Sequence, residues 1–276
     1  MVFISLNQLY IDIRQLALDL PAFDIIAGVP RSGMIAAGIL SSHLNLSLAS
    51  VDRANGLIIL QGGVRDSPTP GKKILVLDDS AHSAFFTTWI HGFLSGYDVK
   101  TAAIYVEEEV KGRLDYWSKI CPQPRLFSWG FMNCDLLKIA CIDMDGVLCV
   151  NPTNNQNDDG PRYKDFLINT TQIYRPLRRP IHSIVSSRME KHRSLTEAWL
   201  KKHNIAYTHL ILTNYMSASD RQKDNRYAEL KAEYYKSVNC GWFVESDPLQ
   251  AKRIGELTGK PVICSETLES FNMVAI

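Results

Sequence analysis

Two aspartates, Asp143 and Asp145, lie two positions apart at the end of an apolar run in residues 139–148. Gly146 follows them and lets the chain turn sharply. The apolar run predicts a buried strand, so both carboxylates should reach one small pocket at its end. Phosphoryl transfer uses a carboxylate as nucleophile and a second acidic group as acid or base. The pattern therefore indicates a nucleophilic carboxylate and a second acidic group that face one pocket.

A second acidic pair occurs in the first half of the chain. Asp78 and Asp79 follow the apolar run 74–77, and residues 28–33 form a turn with the sequence Gly-Val-Pro-Arg-Ser-Gly. Backbone N–H groups in turns and at helix starts bind phosphate oxygens, and carboxylates bind ribose hydroxyls. Each half of the chain thus carries its own candidate site for a phosphorylated ligand.

The composition limits the class of protein. The chain has 276 residues, enough for two domains, and its 46% hydrophobic and 21% charged residues are typical of globular proteins. A net charge of +1 gives no general attraction to nucleic acid or to an anionic membrane. The apolar runs are too short to cross a bilayer, and residues 1–6 lack the features of a signal peptide. The six cysteines form no C-x-x-C pair, so we expect reduced thiols and a cytoplasmic protein.

Strand-like runs alternate with helical patterns in both halves, which predicts the α/β class. In the first half the predicted strands are 24–29, 47–51, 73–77 and 101–106, and the predicted helices are 6–20, 34–44 and 83–95. In the second half the predicted strands are 138–142, 181–185, 209–212, 242–244 and 261–263, and the predicted helices are 194–203, 225–235 and 248–255. A break with two prolines at 121–124 precedes the boundary. We therefore predict two domains, residues 1–134 and 135–276, each a mainly parallel sheet flanked by helices.

The second half resembles the haloacid-dehalogenase (HAD) superfamily, whose members mostly transfer phosphoryl groups. Four motifs occur in the order that the family uses, over residues 137–276. The resemblance implies a Rossmann-like domain with a small or absent cap. It also implies that Asp143 is the nucleophile that forms an aspartyl-phosphate and that Asp145 is the acid/base. Ser186 would hydrogen-bond the phosphoryl group, and Lys231 would neutralise the phosphate and orient the nucleophile.

The same resemblance implies a Mg²⁺ cofactor, an ion that prefers hard oxygen ligands. The predicted ligands are Asp143, Asp145, Glu245 and Asp247. Glu245 is the better match for the direct ligand in the fourth motif. Asp247 is either a second direct ligand or acts through water.

Each of these residues also has a structural interpretation. An isolated pair of aspartates occurs in many turns, and Lys231 could be a solvated helix lysine, with Lys236 as a second match to the third motif. Glu245 and Asp247 could simply cap the helix that follows. Four motifs in order favour the HAD interpretation over these alternatives.

The segment between residues 148 and 181 is the only candidate for a cap, and it is short. In the HAD family, compact members of this kind often act on large or exposed phosphorylated groups, or use a neighbouring domain as a lid. Six residues of this segment are candidates for contact with an anionic substrate, and a solvated basic surface is at least as good an explanation of them. The residues concerned are Arg162, Tyr163, Lys164, Arg175, Arg178 and Arg179.

The first half resembles the type I phosphoribosyltransferases over residues 6–133, which implies a site for phosphoribosyl pyrophosphate (PRPP). Asp78 and Asp79 would then contact the ribose hydroxyls. The turn at 28–33 would hold the pyrophosphate, and the loop after the acidic pair would hold the 5′-phosphate. The further PRPP-binding residues implied are Arg31, Ser32, Gly33, Ser80 and Ser83. The family loop usually ends T-G-x-T, whereas residues 83–87 read Ser-Ala-Phe-Phe-Thr.

Aromatic residues follow this region, at the place where the resemblance implies a nucleobase-binding hood. We expect a cluster there, with Trp129 stacking on the base. Interface packing next to a domain boundary is the alternative role for these rings. The members are Tyr116, Trp117, Phe127, Trp129 and Phe131.

Together, the two resemblances imply a bifunctional enzyme of nucleotide metabolism. The first domain would be a PRPP-dependent phosphoribosyltransferase, and the second a Mg²⁺-dependent phosphomonoester hydrolase. In the alternative, the first domain binds PRPP or a nucleotide without catalysis and regulates the phosphatase. A non-catalytic assembly protein is disfavoured, because it has no need for the acidic and basic residues of the second half. The expected ligands are small phosphorylated molecules; the sequence leaves both a monomer and a homodimer open.

Overall fold

The structure, a computed structural model, describes residues 1–52, 56–60, 72–82, 90, 94 and 96–276. The chain forms two compact units. The first unit comprises Met1–Trp129 with Val274–Ile276, and the second comprises Gly130–Met273. This division differs from the predicted one at residues 130–134, which belong to the second unit, and at the last three residues. Val274 N donates a hydrogen bond to the carbonyl of Met1 at 3.0 Å, which connects these last residues to the first unit.

The first unit is built on a six-stranded sheet of order β4-β3-β2-β5-β6-β7, with a separate parallel pair of β1 and β8. Only the β3–β4 pair of the larger sheet is antiparallel. The strands are β1 (Val2–Ile4), β2 (Ile25–Gly28), β3 (Ser47–Asp52), β4 (Gly56–Ile59), β5 (Lys73–Ala81), β6 (Asp98–Val106), β7 (Tyr116–Ile120) and β8 (Arg125–Phe127). The described helices are α1 (Leu6–Asp19) and α2 (Gly33–Leu44). The predicted helix 83–95 lies outside the described residues apart from residues 90 and 94.

Local sequence explains these elements. All four residues of β2 are buried, because this strand is central in the sheet and has neighbours on both sides. Helix α1 begins after Ser5, whose side chain accepts a hydrogen bond from Gln8 N, and it buries Leu9, Ile13 and Leu16 at helical spacing. The predicted α/β alternation is therefore found in this unit.

The second unit is a six-stranded sheet of order β11-β10-β9-β12-β13-β14, in which only the β13–β14 pair is antiparallel. The strands are β9 (Ala140–Ile142), β10 (Ile181–Met189), β11 (Tyr207–Thr213), β12 (Trp242–Glu245), β13 (Val262–Cys264) and β14 (Ser270–Phe271). The helices are α3 (Pro161–Asn169), α4 (Arg193–Lys202), α5 (Ala218–Asp224), α6 (Tyr227–Ser237) and α7 (Pro248–Thr258). Every strand and helix predicted for this half is present, and β10 runs four residues beyond its predicted end.

The central strands of this unit are short and wholly buried, as β9 and β12 show. A crossover connection that returns to a parallel strand brings the carboxyl ends of β9, β10 and β12 to one edge of the sheet. Ligands bind at this edge in open α/β sheets. A ligand site in this unit is therefore expected at this edge of the sheet.

Among the described residues, no helix is both long enough and apolar enough to cross a membrane. All six cysteines are free thiols, five of them buried.

Candidate active sites

The best-defined polar cluster lies at the carboxyl edge of the second sheet. Asp143 directly follows β9, and Glu245 is the last residue of the adjacent strand β12. The ammonium of Lys231, from α6, lies 2.8 Å from Asp143 Oδ2 and 2.6 Å from Glu245 Oε2. All three side chains are buried. The sequence prediction that these three residues act together therefore has a geometric counterpart.

Backbone groups hold the two carboxylates in place. Met144 N donates to Asp143 Oδ1 at 2.8 Å, and Ser246 N donates to Glu245 Oε1 at 2.9 Å. Gly146 then turns the chain at φ +81°, and a β-carbon there would lie 2.2 Å from Ser246 Oγ. Only glycine satisfies both the positive φ and this close approach.

Burial and charge act against each other in this cluster. Burial raises the pKa of Asp143 well above its ordinary value, and the nearby Glu245 carboxylate raises it further. Burial lowers the pKa of Lys231, but the charges of Asp143 and Glu245 more than offset this and leave it raised. The ammonium is thus strongly retained between two carboxylates that would otherwise repel each other.

Asp145 points to a different partner. Arg188, which is completely buried, donates to Asp145 Oδ1 from Nη2 at 2.6 Å and to Oδ2 from Nε at 3.0 Å. Burial lowers the pKa of Arg188, and the charge of Asp145 more than restores it. Arg188 ends the second motif, Ser-Ser-Arg, but no sequence signal indicates it as the partner of Asp145. The predicted acid/base is therefore held in a two-point ion pair.

The four predicted Mg²⁺ ligands do not form one site. Asp143 and Glu245 share Lys231, Asp145 binds Arg188, and Asp247 accepts hydrogen bonds from two backbone N–H groups at the start of α7. Within the described ranges, no group of three or more His, Cys, Asp or Glu side chains is placed to hold a metal. These residues, as arranged, do not fit the predicted four-carboxylate ion site. The helix-cap alternative holds for Asp247.

A pocket of about 410 Å³ opens beside this cluster. Its lining includes Ser186 and Lys231 together with Asn214, Tyr215, Arg226 and Tyr227. Ser186 is buried and its Oγ accepts a hydrogen bond from Arg188 N at 3.2 Å. The pocket therefore contains two residues predicted to contact phosphate, together with side chains that no sequence motif indicated.

None of the six residues predicted to meet an anionic substrate lines this pocket. Arg162 pairs with Asp158, and both Arg178 and Arg179 pair with Asp135. These three arginines thus form surface ion pairs, in agreement with the solvated-surface alternative for them. The segment between β11 and α6 supplies the pocket wall instead, and no motif marked it in the sequence.

In the first unit, the turn at 28–33 and the acidic pair do come together. Ser32 Oγ donates to Asp79 Oδ1 at 3.0 Å. A β-carbon on Gly33 would lie 2.7 Å from Asp78 Oδ1, so this glycine permits a close approach of α2 to β5. Burial, followed by the charge of Asp79, raises the pKa of Asp78 to about 8. Arg31 is exposed beside this site.

The part of the site predicted to bind the 5′-phosphate differs. Strand β5 continues through the acidic pair to Ala81, and Ser80 pairs with Tyr105 of β6. Ser80 is therefore in a strand and not in a phosphate loop. The prediction was wrong because the apolar run before Ser80 is shorter than the strand that contains it. Ser83, like the rest of residues 83–87, lies outside the described residues.

The five aromatic residues do not form a single cluster. Trp129 stacks on Phe127 with ring centroids 4.7 Å apart, and its Nε1 donates to Asp79 Oδ2 at 3.0 Å. Tyr116 contacts Phe23, whereas Phe131 belongs to the second unit and contacts Trp242. Trp129 therefore lies next to the acidic pair, with its indole N–H already used.

Comparisons with known proteins give partial overlaps. No protein-family model matches the sequence, and no curated protein sequence matches it. A purine phosphoribosyltransferase from Pyrococcus horikoshii is 22% identical, over 47% of this chain and 93% of that one, with a TM-score of 0.35. A xanthine-guanine-hypoxanthine phosphoribosyltransferase from Helicobacter pylori is 19% identical, over 46% of this chain and 92% of that one, with a TM-score of 0.36. UMP synthase from Leishmania donovani is 17% identical over 37% of this chain and only 23% of its own length, with a TM-score of 0.31.

Proposed function

We propose that the protein acts on small phosphorylated molecules at two sites. The second unit hydrolyses a phosphate monoester through an aspartyl-phosphate on Asp143. The first unit binds PRPP and transfers its phosphoribosyl group. The observation that carries the proposal is the buried Lys231 ammonium between Asp143 and Glu245, at the edge of the sheet where ligands bind and beside an open pocket.

The hydrolysis needs two displacements at phosphorus. An oxygen of Asp143 attacks the phosphorus, and the bond between the phosphorus and the leaving oxygen breaks. The leaving oxygen keeps the electron pair and gains a proton from an acid or from water. Water then attacks the aspartyl-phosphate and releases inorganic phosphate and the Asp143 carboxylate. Lys231 offsets the negative charge that approaches the carboxylate, and Ser186 can donate its hydroxyl to a phosphoryl oxygen. Asp145 can take part only after it loosens from Arg188.

The test follows phosphate release from a panel of phosphate monoesters, with and without Mg²⁺. The substitution Asp143→Asn should lower the rate at least about 10³-fold, because it removes the nucleophile while keeping the side-chain shape. The exposed Asp165→Asn is a matched control in the same unit and should retain the rate. Equal rates for the wild type and Asp143→Asn on every substrate would refute the phosphatase proposal.

The contact between the turn at 28–33 and the acidic pair supports a PRPP site in the first unit. The acidic pair can accept hydrogen bonds from ribose hydroxyls, and the turn before α2 offers backbone N–H groups to phosphate. In the transfer, a nitrogen of the base bonds to C1 of the ribose as the C1–O bond to pyrophosphate breaks. The electron pair leaves with pyrophosphate, and the base nitrogen loses its proton to solvent.

Calorimetric titration with PRPP and Mg²⁺ tests this half. We expect heat of binding for the wild type and at least about tenfold weaker binding for Asp78→Asn/Asp79→Asn, which loses charge-assisted hydrogen bonds. Ribose 5-phosphate serves as the matched ligand without pyrophosphate and should bind more weakly. An absence of heat at millimolar PRPP would reject the PRPP site altogether.

A second candidate is that the first unit binds PRPP or a nucleotide without catalysis. Both oxygens of Asp79 are already occupied, by Ser32 and Trp129, and β5 continues where the family has its phosphate loop. Incubation with PRPP and a panel of nucleobases separates the two candidates. Binding without release of pyrophosphate supports a regulatory unit, whereas release of pyrophosphate with any base supports the transferase.

A further inference from the structure

The pocket beside Lys231 has to hold the organic part of the substrate, if the phosphatase proposal is correct. Lys231, whose ammonium lies 2.8 Å from Asp143 Oδ2, and Ser186 line the part of the pocket that would take the phosphate. Another part of the pocket wall comes from the segment between β11 and α6 and from the first residue of α6. Pockets of about 300–1,000 Å³ take small-molecule ligands, and the volume of about 410 Å³ lies in this range.

Three planar side chains line this wall, namely Tyr215, Arg226 and Tyr227. Planar aromatic rings and guanidinium groups offer faces on which a flat heteroaromatic ring stacks. The apolar side chains of Ile211 and Leu230 also line the pocket.

Tyr215 is fixed in orientation and Arg226 is free to change partner. The hydroxyl of Tyr215 donates to Asp224 Oδ2, a bond that raises the pKa of Tyr215 to about 12 and keeps the hydroxyl protonated. The only ion-pair partner of Arg226 in the described part of the chain is Glu233, and about half of each side chain is exposed to solvent. Exposed pairs of this kind contribute little, so a ligand can displace Glu233 at small cost.

We infer that this pocket holds a nucleobase, so that the substrate of the second unit is a nucleoside monophosphate. Tyr227, the first residue of α6, is the specificity residue on whose ring the base stacks. Asn214 and Asp224 stand at the same wall with amide and carboxylate groups that can hydrogen-bond base edges or ribose hydroxyls. This inference rests on the phosphatase proposal and adds the chemical class of the leaving group.

The experiment compares kcat/KM for the common nucleoside 5′-monophosphates with kcat/KM for ribose 5-phosphate. At least one nucleotide should exceed ribose 5-phosphate by about 5- to 150-fold, the range that base stacking contributes. Tyr227→Leu should abolish most of this preference, and Tyr227→Phe should keep it, since the ring face remains. Tyr207→Leu, at the other end of β11, is the control and should leave the preference intact.

The outcomes separate the two claims. If ribose 5-phosphate is hydrolysed as fast as every nucleotide, by a reaction that Asp143→Asn abolishes, the nucleobase inference is wrong and the phosphatase stands. If no substrate shows Asp143-dependent release, the phosphatase proposal itself fails, and the inference fails with it. Should Tyr227→Leu not fold, Arg226→Gln at the exposed rim provides the second variant, and an unchanged nucleotide preference in that variant would count against the inference.

Discussion

Replacing Lys231 by methionine is expected to lower the free energy of unfolding by about 3–5 kcal/mol at pH 7, the usual cost of breaking a buried ion pair from one side. The ammonium contacts both Asp143 and Glu245 within 2.8 Å, and all three groups are buried. Without it, two carboxylates remain close together with no positive charge between them. Phosphate release should fall at least about 10²-fold, because the same cation would stabilise the transferred group.

The deficit in unfolding free energy of the Lys231→Met variant should depend on pH. The folded-state pKa of Asp143 is already raised by burial and by Glu245, and loss of the ammonium removes the main opposing influence. A carboxyl group with a raised folded-state pKa contributes stability below its unfolded pKa and loses it as the pH rises through the folded value. The pKa of Lys231 is itself raised, so the wild-type ammonium stays charged throughout pH 5–8. We therefore expect a smaller deficit at pH 5 than at pH 8.

Urea-induced unfolding at pH 5, 7 and 8, followed by circular dichroism, measures this effect. The matched control is Lys236→Met, an exposed lysine on the same helix that also matches the third motif in sequence. It should change the free energy of unfolding by less than about 0.5 kcal/mol. A larger effect for Lys236→Met than for Lys231→Met would mean that the wrong lysine has been assigned.

The two carboxylates around Lys231 were predictable because each follows a simple local signal. An apolar run delivers Asp143, another delivers Glu245, and both runs become parallel neighbours whose ends meet. Lys231 was identified only by its motif, and its helical position alone would not separate it from Lys236. Burial decides between them, and burial is a property of the fold and not of one helix.

Other features depend on contacts between residues that are far apart in the sequence, which no local pattern encodes. Arg188 and Asp145 are 43 positions apart in sequence and meet only because β10 lies beside β9. The pocket wall at Tyr215 and Tyr227 comes from a connection with no motif. The end of β5 was placed too early, because Asp78 and Asp79 look like the end of a strand although their backbone pairing with β6 continues.

The ion pair between Arg188 and Asp145 should respond unequally to loss of each partner. Asp145→Asn is expected to cost about 3–5 kcal/mol of unfolding free energy, because it leaves a fully buried guanidinium without its counter-charge. Arg188→Met should cost less, about 1–3 kcal/mol, since the side chain of Asp145 is 19% exposed and can recruit water.

Combining both substitutions tests whether loss of the ion pair itself causes the lower stability of the single variants. The double variant Asp145→Asn/Arg188→Met should be more stable than the sum of the two single effects predicts, by about 0.5–3 kcal/mol, since no buried charge is left unpaired. Urea-induced unfolding of the four proteins gives this coupling, and Arg193→Met, in a half-exposed pair with Glu190, is the control expected to change stability by about 1 kcal/mol or less. If Arg188→Met proved costlier than Asp145→Asn, Arg188 would stabilise the unit chiefly through its contacts with Thr196 and Phe166. Asp145 would then be held less firmly than the two-point contact implies, and its predicted role as acid/base would gain support.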